Sequence, residues 1–385
     1  MLIQACHFLN LMSVESLIQE NYSSPDISEK LQPYLAKIIS EKDYPTFGLI
    51  FELLKKHIFN PSLVTPFIRY SIEKISQVSD PSERVDYSKA ILFFLDSYPA
   101  MKDGFKQFEQ SYISDCQKSG KFFDLVRFYE ANVPSPGSSD NEMLEYYLNL
   151  VEANCKASNF GAANTKLVQA SSYRFALRTP KNLLEKFDLL YSEIQIGNQT
   201  YENAAERLFS VSQTASNEAL FKKSIERAMI FAVVSPPSRK RTALFSKIMN
   251  DERASQFPVF SLIERLSSRT LIEFKEVEVF WNEIQNEASI KKNDFINTIR
   301  MHNLGEISTM YSTVSFKRLG EIIGSDESEV LRIVDSMISA NRLNAKIDQP
   351  NKILIYNQNP IQEKDISSKA FCDEVEALSE IVSKK

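Results

Sequence analysis

Apolar residues in the last third of the chain recur first at helical spacing and then in short β-leaning runs. Two amphipathic helices are predicted between residues 316 and 338, separated by Gly324, which can end a helix in the left-handed conformation. Ser315 can cap the first helix, and Ser325 or Asp326 can cap the second, with Glu329 at capping-box spacing from Asp326. The two apolar faces consist of Phe316, Leu319, Ile322 and Ile323, and of Val330, Ile333, Val334, Met337 and Ile338.

Short extended segments flank these helices. Thr313 to Ser315 is predicted as a strand before the first helix. Leu343 to Ile347 and Ile353 to Tyr356 are β-leaning runs joined by the turn residues Asp348-Gln349-Pro350-Asn351. A strand, two helices and a hairpin in this order predict a winged helix over residues 313 to 356.

The first 250 residues or so predict a succession of helices with short breaks. The clearest loop, Val133 to Asp140, contains two prolines and a glycine. Two segments, Phe160–Leu167 and Tyr201–Leu208, each combine an aromatic residue, a pair of alanines and a leucine at the eighth position, and they start 41 residues apart. That period suits stacked helical pairs, although coincidence in a helix-rich chain is the alternative.

A final helix is predicted at about Ser367 to Lys384, with an apolar stripe at i, i+4, i+7 and i+11. Burying four such side chains contributes on the order of 6–12 kcal/mol. Ordering about eighteen residues costs about 1–2 kcal/mol each, so the helix needs a surface to pack on. That surface is either its own chain or helices of partner subunits. The stripe consists of Phe371, Val375, Leu378 and Val382.

Together these patterns predict a mostly α protein with three parts. An N-terminal solenoid of TPR-like or HEAT-like helical repeats occupies residues 1–200. A second domain at 201–358 divides into a helical part (201–312) and the winged helix (313–358), and a C-terminal helix follows at 361–385.

Composition excludes several classes of protein. The 385 residues carry a net charge of −5 and are 43% hydrophobic, as expected of an ordinary globular chain and not of a disordered or polybasic one. The four cysteines form no CxxC pair, which favours a reducing compartment. Neither a signal peptide nor a membrane-spanning run is predicted. We therefore expect a soluble, intracellular protein.

Charge argues against DNA recognition by the winged helix. Residues 325–340 contain four acidic side chains and only one basic side chain, Arg332. A helix that enters the major groove lies between phosphates and normally carries Lys or Arg. Protein–protein docking is thus the favoured role. The basic cluster Ser238–Arg241 is interpreted as a solvated helix start, because acidic residues follow it closely.

Catalytic chemistry is not predicted. The three histidines, His7, His57 and His302, are widely spaced, and no metal-binding, nucleophile or phosphate-binding motif occurs. The pair His302-Asn303 lies on a largely apolar helix, where a buried hydrogen-bonding role is expected. The prediction is a chain that is not an enzyme and holds neither metal nor cofactor.

Short motifs in the second half of the chain resemble the PCI domain, a scaffold module of the proteasome lid, the COP9 signalosome and eukaryotic initiation factor 3. The segment Arg241–Arg253, ending in Asp-Glu-Arg, and the sequence His302-Asn303-Leu304 are similar to COP9 signalosome subunits. So are Ser315-Phe316 with Leu319-Gly320, and the wing from Asn344 to Ile355. Within the wing, Asn344 to Ile347 is equally similar to a proteasome lid subunit. The resemblance covers about residues 200–358.

The resemblance implies a non-catalytic scaffold and substrate-sensing subunit of the COP9 signalosome. In that complex a separate zinc isopeptidase subunit removes NEDD8 from cullins. The implied partners are other PCI subunits, the metalloprotease subunit pair and the cullin–RING ligase, with no specific nucleic acid and no membrane. A proteasome lid scaffold subunit is the alternative, and a winged-helix nucleic-acid-binding protein is the rival class.

Three partner-binding surfaces are also implied by the resemblance. PCI winged helices pair edge to edge, and terminal helices gather into a bundle, here through the stripe Phe371, Val375, Leu378 and Val382. The connection from Asn286 to Asn293 matches a loop that faces the catalytic pair, with Ala288, Lys291 and Lys292 as its contact residues. The winged-helix edge comprises Leu343, Lys346, Ile347, Lys352, Ile353 and Ile355.

Overall fold

The computed structural model describes residues 14–21, 24–57, 60–135, 137–174, 179–285, 287 and 289–356. Most of these residues are helical. They divide into two compact units, one within residues 1–136 and the other within 137–385. Among the described helices, none is both long enough and apolar enough to cross a membrane.

The first unit is an all-helical array with an aromatic core. Asp80 caps one of its helices by accepting a hydrogen bond from the Ser82 amide at 2.9 Å, and Gly120 ends another at φ 73°. Phe47, Phe51 and Tyr87 are fully buried in its interior. From residue 24 onward its α-helices are α1 (Ile27–Ser40), α2 (Tyr44–His57), α3 (Thr65–Ser76), α4 (Pro81–Leu95), α5 (Pro99–Lys102), α6 (Lys106–Ser119) and α7 (Phe122–Ala131).

In the described part of the second unit, nine α-helices precede a small module that contains a β-sheet. Helix α16 ends at Met310, directly before the module. The helices are α8 (Asp140–Lys156), α9 (Phe160–Ser171), α10 (Lys181–Gly197), α11 (Tyr201–Thr214), α12 (Glu218–Val234), α13 (Arg239–Met249), α14 (Val259–Ser267), α15 (Phe274–Ile284) and α16 (Lys292–Met310).

The module has the predicted winged-helix order. A three-stranded antiparallel sheet has the strand order β1-β3-β2, so the hairpin strand β3 is central. In the register, Ile355 lies opposite both Thr313 and Lys346, and Leu354 lies opposite Val314 and Ile347. The elements are β1 (Thr313–Ser315), α17 (Phe316–Ile323), α18 (Glu327–Ser339), β2 (Ala345–Asp348) and β3 (Ile353–Tyr356).

The repeat suggested by the sequence has a structural counterpart in α8–α9 and α10–α11. The loop between the two helices of each pair contains a residue in the left-handed conformation. This residue is Ser158 at φ 58° in the first pair and Gln199 at φ 59° in the second. In each connection the next amide donates to the carbonyl five residues back, Asn159 to Asn154 and Thr200 to Gln195, both at 2.9 Å. Ala162 is half-buried, and the other alanine and leucine positions of both segments are buried, as stacked helical pairs require: Ala163, Leu167, Ala204, Ala205 and Leu208.

The division into compact units differs from the predicted domain boundaries. The units meet at residues 136 and 137, inside the loop predicted from its prolines, whereas the predicted boundary at residues 200 and 201 lies between α10 and α11. The C-terminal helix predicted at 361–385 lies outside the described residues.

Candidate protein-interaction surfaces

The helices of the winged helix begin and end at the capping residues and glycine that the sequence predicts. Ser315 Oγ accepts from the Arg318 amide at 3.3 Å, and Gly324 ends α17 at φ 64°. Of the two candidate caps for α18, the structure selects Asp326, whose carboxylate accepts from the Glu329 amide at 2.8 Å. At Gly320 an added Cβ would lie 2.5 Å from the Ser325 carbonyl oxygen, so the close packing of α17 on the following turn requires glycine.

Helix α16 belongs to the core of the winged helix as well as to the helical part. Leu304 and Ile307, on its C-terminal half, are buried in the same apolar cluster as the module. Tyr356, at the end of β3, donates its hydroxyl proton to the Leu304 carbonyl at 3.3 Å. Arg300 donates to the Gly324 carbonyl at 2.8 Å and thereby caps the C-terminal end of α17. These contacts fix the module against the helix that precedes it.

The residues predicted for the winged-helix edge divide between two environments. Leu343 is only 6% exposed and packs into the core of the module, so in this chain it faces inward and not toward a partner. Ile347 and Ile353 are half-buried. Lys346 and Lys352 are exposed, and Ile355 is 37% exposed. The burial of Leu343 follows from strand alternation, because Leu343, Ala345 and Ile347 share the inner side of one extended segment.

The exposed members of this set surround strand β2. Among the described residues, β3 is the central strand and β2 pairs on one side only, with β3, so its other side is an edge. A surface hollow beside this edge is lined by Lys346, Ile347, Asp348, Gln349, Pro350 and Ile355. An open edge next to a partly apolar hollow is a surface that another extended segment can join.

The electrostatics of the module do not suit a polyanion. On α18, the Glu329 carboxylate accepts from Arg332 at 2.6 Å, which lowers the pKa of Glu329. The Lys352 ammonium lies 2.9 Å from the Glu327 carboxylate, so the wing lysine beside α18 is already neutralised within the chain. On the other helix, Arg318 pairs with Glu321 at 2.8 Å. Phosphates approaching α18 would therefore meet carboxylates and cations that are already paired.

The loop predicted to face a catalytic pair is anchored to two helices of its own unit. Glu287 accepts from Arg227 Nε of α12 at 2.8 Å, and Arg227 Nη1 also donates to Glu193 of α10 at 2.5 Å. Ile290 is buried in the main apolar cluster of the unit. Sequence reasoning missed this clamp, since Arg227 and Glu287 are 60 residues apart and no local pattern links them.

The three loop residues named from the sequence have different positions. Lys291 is exposed immediately before α16. Lys292 pairs with Glu278 of α15 at 2.7 Å. Ala288 lies outside the described residues, as do the C-terminal residues Phe371, Val375, Leu378 and Val382.

The pair His302-Asn303 is buried and hydrogen-bonded, as predicted. Asn303 accepts from the Ile272 amide at 2.9 Å and donates to the Ile272 carbonyl at 2.8 Å, so one side chain satisfies both backbone groups. His302 Nε2 donates to the Thr270 carbonyl at 3.1 Å. Burial lowers the pKa of His302 to about 4, which keeps the imidazole neutral near pH 7. Both side chains fasten the segment before α15 to α16.

The basic cluster at the start of α13 is only partly solvated, which corrects the sequence interpretation. Arg239 and Lys240 are exposed, but Arg241 is buried. Arg241 Nη2 donates to the Val233 carbonyl at 3.2 Å, at the end of α12, and burial lowers the pKa of Arg241 to about 9. Thr298 Oγ1 of α16 donates to the carbonyl of Val234, the last residue of α12, at 2.8 Å. This junction has no signal in the local sequence.

The Asp-Glu-Arg motif has a structural role in the helical part. Asp251 accepts from the Arg253 amide at 3.2 Å and from Arg253 Nε at 2.9 Å, which holds a short 3₁₀ turn. Gln213 Nε2 of α11 donates to Asp251 at 2.8 Å. The Arg253 guanidinium lies over the Phe221 ring at 4.2 Å. The motif therefore joins the turn after α13 to α11 and α12.

Comparison with known proteins identifies the class of this module. A family model for the PCI domain matches residues 280–358, which cover the end of α15, α16 and the complete winged helix. The chain therefore contains a PCI domain, as its motifs indicate.

The curated relatives sharpen this result. The chain is 26% identical over 198 residues to COP9 signalosome complex subunit 4 of Caenorhabditis elegans, covering 50% of this chain and 48% of the relative. It is 21% identical over 281 residues to the Drosophila melanogaster subunit 4, covering 71% and 62%. It is also 23% identical over 246 residues to the 26S proteasome regulatory subunit RPN5 of Saccharomyces cerevisiae, covering 60% and 55%. The chain thus matches about half to somewhat under two thirds of each relative's length.

These comparisons confirm the predicted resemblance, including its proteasome lid alternative. The relatives are named as subunits of complexes, in agreement with the prediction of a non-catalytic chain. Within the described ranges, no group of three or more His, Cys, Asp or Glu side chains is placed to hold a metal ion.

Proposed function

We propose that this chain is a non-catalytic scaffold and substrate-sensing subunit of a COP9 signalosome-type complex. In this role it supports the removal of NEDD8 from cullin–RING ubiquitin ligases by a separate zinc isopeptidase subunit. The observation that carries the proposal is the PCI domain at 280–358 in a chain similar to subunit 4 of several species.

The geometry of the second unit supports a scaffold role. In the part of the chain that the structure describes, β2 has an unpaired edge, and α16 fixes the winged helix to a helical array through Arg300 and Tyr356. A rigid module with an open edge can join neighbouring subunits by strand addition. The anchored loop at Glu287, which ends with exposed Lys291, is the proposed contact toward the metalloprotease subunit pair. Cytoplasmic and nuclear localisation is part of the same proposal.

Co-purification tests the proposal against its alternative. A tagged chain expressed in its own cells is isolated at low salt, and the co-purifying chains are identified by mass spectrometry. We expect other PCI subunits, a zinc-metalloprotease subunit and cullins. Recovery with proteasome base ATPases in their place would assign the chain to the proteasome lid, the alternative favoured by the match to the regulatory subunit RPN5.

Nucleic-acid binding, the rival class, is tested by measuring duplex DNA binding against salt concentration. The carboxylates of α18, with Glu327 holding Lys352, predict weak binding without sequence preference. Tight, sequence-dependent binding at physiological ionic strength would contradict the scaffold proposal. A K317E variant is the control, because Lys317 is exposed on α17, whereas Arg318 beside it is already paired with Glu321.

A further inference from the structure

A groove with a volume of about 530 Å³ follows helix α11 in the second unit, and we call it the α11 groove. Its floor is one face of α11 from Asn203 to Thr214, and its walls are Tyr191 of α10 and Leu244 and Lys247 of α13. At a rise of 1.5 Å per residue this floor is about 16 Å long. An extended peptide of about five residues has the same length.

Arg207, in the middle of the floor, has a guanidinium group that is positioned by its neighbours. The group lies over the Tyr191 ring, 5.0 Å from its centroid. Its Nη1 atom is 3.5 Å from the Asp188 carboxylate, which itself accepts a hydrogen bond from Arg174 at 3.2 Å. Arg207 donates no hydrogen bond to any residue of the described ranges, and its side chain is 35% exposed. Its donors are therefore available to a ligand in the groove.

Other polar groups of the groove surround this guanidinium. Asn203 and Ser210 lie about one helical turn before and after Arg207 on the same face of α11, and neither side chain is hydrogen-bonded to a described residue. From the opposite wall, Lys247 adds an exposed ammonium group. A guanidinium and an ammonium group, with an amide and a hydroxyl group beside them, form a set of donors that suits a carboxylate.

The same lining argues against a nucleic acid as the ligand. Glu206 is exposed on the floor next to Arg207, so a chain of phosphates along the groove would also meet a carboxylate. The Arg207 guanidinium covers one face of Tyr191, the ring on which a base could otherwise stack. A ligand with a single carboxylate needs only the cations beside it and avoids both conflicts.

We propose that the α11 groove binds an extended peptide segment of another protein and that Arg207 and Lys247 bind one Asp or Glu side chain of this segment. Asn203 and Ser210 are then placed to hydrogen-bond to the peptide backbone. Proteins built from stacked helical pairs commonly bind partners along such extended surfaces. The inference goes beyond the proposed scaffold function, because it assigns a peptide site outside the winged helix and its strand edge.

A positional-scanning library of short synthetic peptides tests the proposal. Each pool fixes one residue type, phosphoserine included, at one position, and both peptide ends are blocked so that no terminal carboxylate competes. Binding of the purified full chain to each pool is measured. We expect pools with Asp or Glu at one position to bind at least about tenfold more tightly than pools with Asn or Gln there, because charge-assisted hydrogen bonds are lost with the charge.

Charge variants of the chain locate this preference. R207Q and K247E should each abolish the preference for Asp or Glu. R239Q/K240Q is the matched control, because it removes two exposed cations from the start of α13 outside the groove and should leave the preference within about twofold. Urea denaturation shows whether R207Q, which loses its contact with Tyr191, remains folded. If it does not, K247E decides, since Lys247 is exposed.

Three results would overturn the inference. Equal binding of all pools would show that the groove has no ligand of this class. An acidic preference that the control variant loses as fully as R207Q would indicate general charge attraction. Tighter binding of phosphoserine pools than of Asp or Glu pools would identify a phosphate site. Because the library contains no sequence from any complex, these results are independent of the co-purification that tests the proposed function.

Discussion

The winged helix and the helical part that leads into it are stabilised in different ways. In the winged helix, most of the deciding contacts join residues close in sequence, such as Ser315 with Arg318 and Asp326 with Glu329. In the helical part, buried polar side chains reach over tens of residues. Asn303 holds Ile272, 31 residues away, and Thr298 holds Val234, 64 residues away.

This difference has an energetic consequence. A helix cap at the surface contributes about 1 kcal/mol, and water replaces it when it is lost. A buried side chain that satisfies backbone groups leaves those groups without a partner when it is removed, and each costs about 1–3 kcal/mol. The helical part should therefore be sensitive to a few single substitutions, and the winged helix should respond to each substitution more weakly.

The largest effect is expected for Asn303→Leu. This change leaves the buried amide and carbonyl of Ile272 without their partner, so the free energy of unfolding of the second unit should fall by about 2–6 kcal/mol. Urea denaturation followed by the fluorescence of Trp281, the one tryptophan, reports on this region, because its ring lies 5.9 Å from that of Phe295.

Asn293→Ala is the matched control for this change. Asn293 is on the same helix but exposed, so its replacement should alter stability by no more than about 0.5 kcal/mol. Equal effects of the two substitutions would show that the Asn303 contacts do not hold the helical part together.

The next effect concerns pH and His302. Its pKa in the folded chain is about 4, below its ordinary 6.5, so between these values the unfolded chain binds a proton that the folded chain does not. The neutral His302 side chain therefore makes its full contribution to the free energy of unfolding above pH 6.5. This contribution falls by on the order of 3 kcal/mol as the pH decreases toward 4. The free energy of unfolding of wild type and of His302→Gln, measured by urea denaturation at several pH values in this range, gives the size of the contribution. A constant difference would contradict a buried neutral imidazole.

The difference between local and long-range contacts also explains which parts of the fold the sequence predicts. Gly324, Asp326 and the turn at Asp348 act on their immediate neighbours, so the winged helix could be predicted element by element. The burial of Leu343 also follows from the local sequence, because Leu343 alternates with Ala345 and Ile347 along the predicted β-leaning run.

The contacts of the helical part could not be predicted in this way. Arg241 resembles its exposed neighbours Arg239 and Lys240 in sequence, and only the packing of α13 on α12 buries it. The clamp between Arg227 and Glu287 likewise depends on which helices become neighbours. Single-sequence periodicity contains no information on that choice.

A smaller effect is expected for Ser315→Ala in the winged helix. The substitution removes the hydrogen bond from the Arg318 amide to Ser315 Oγ and should cost about 1 kcal/mol of local stability. Faster amide exchange confined to α17 and β1 would measure it, with Ser339→Ala, an exposed residue at the end of α18, as the control. A change that also accelerated exchange in α12 would show that the two parts are more strongly coupled than their contacts indicate.

The smallest effect on stability is expected for Lys352→Gln. Its ion pair with Glu327 is exposed, so the loss should be about 0.2–1 kcal/mol and should diminish at high salt. Salt-dependent unfolding of wild type and variant, with Lys346→Gln as the matched control, measures this contribution. Because Lys346 has no ion-pair partner among the described residues, its neutralisation should leave the stability of the isolated chain unchanged. An equal loss of stability in the two variants would show that the exposed Lys352–Glu327 ion pair does not stabilise the wing.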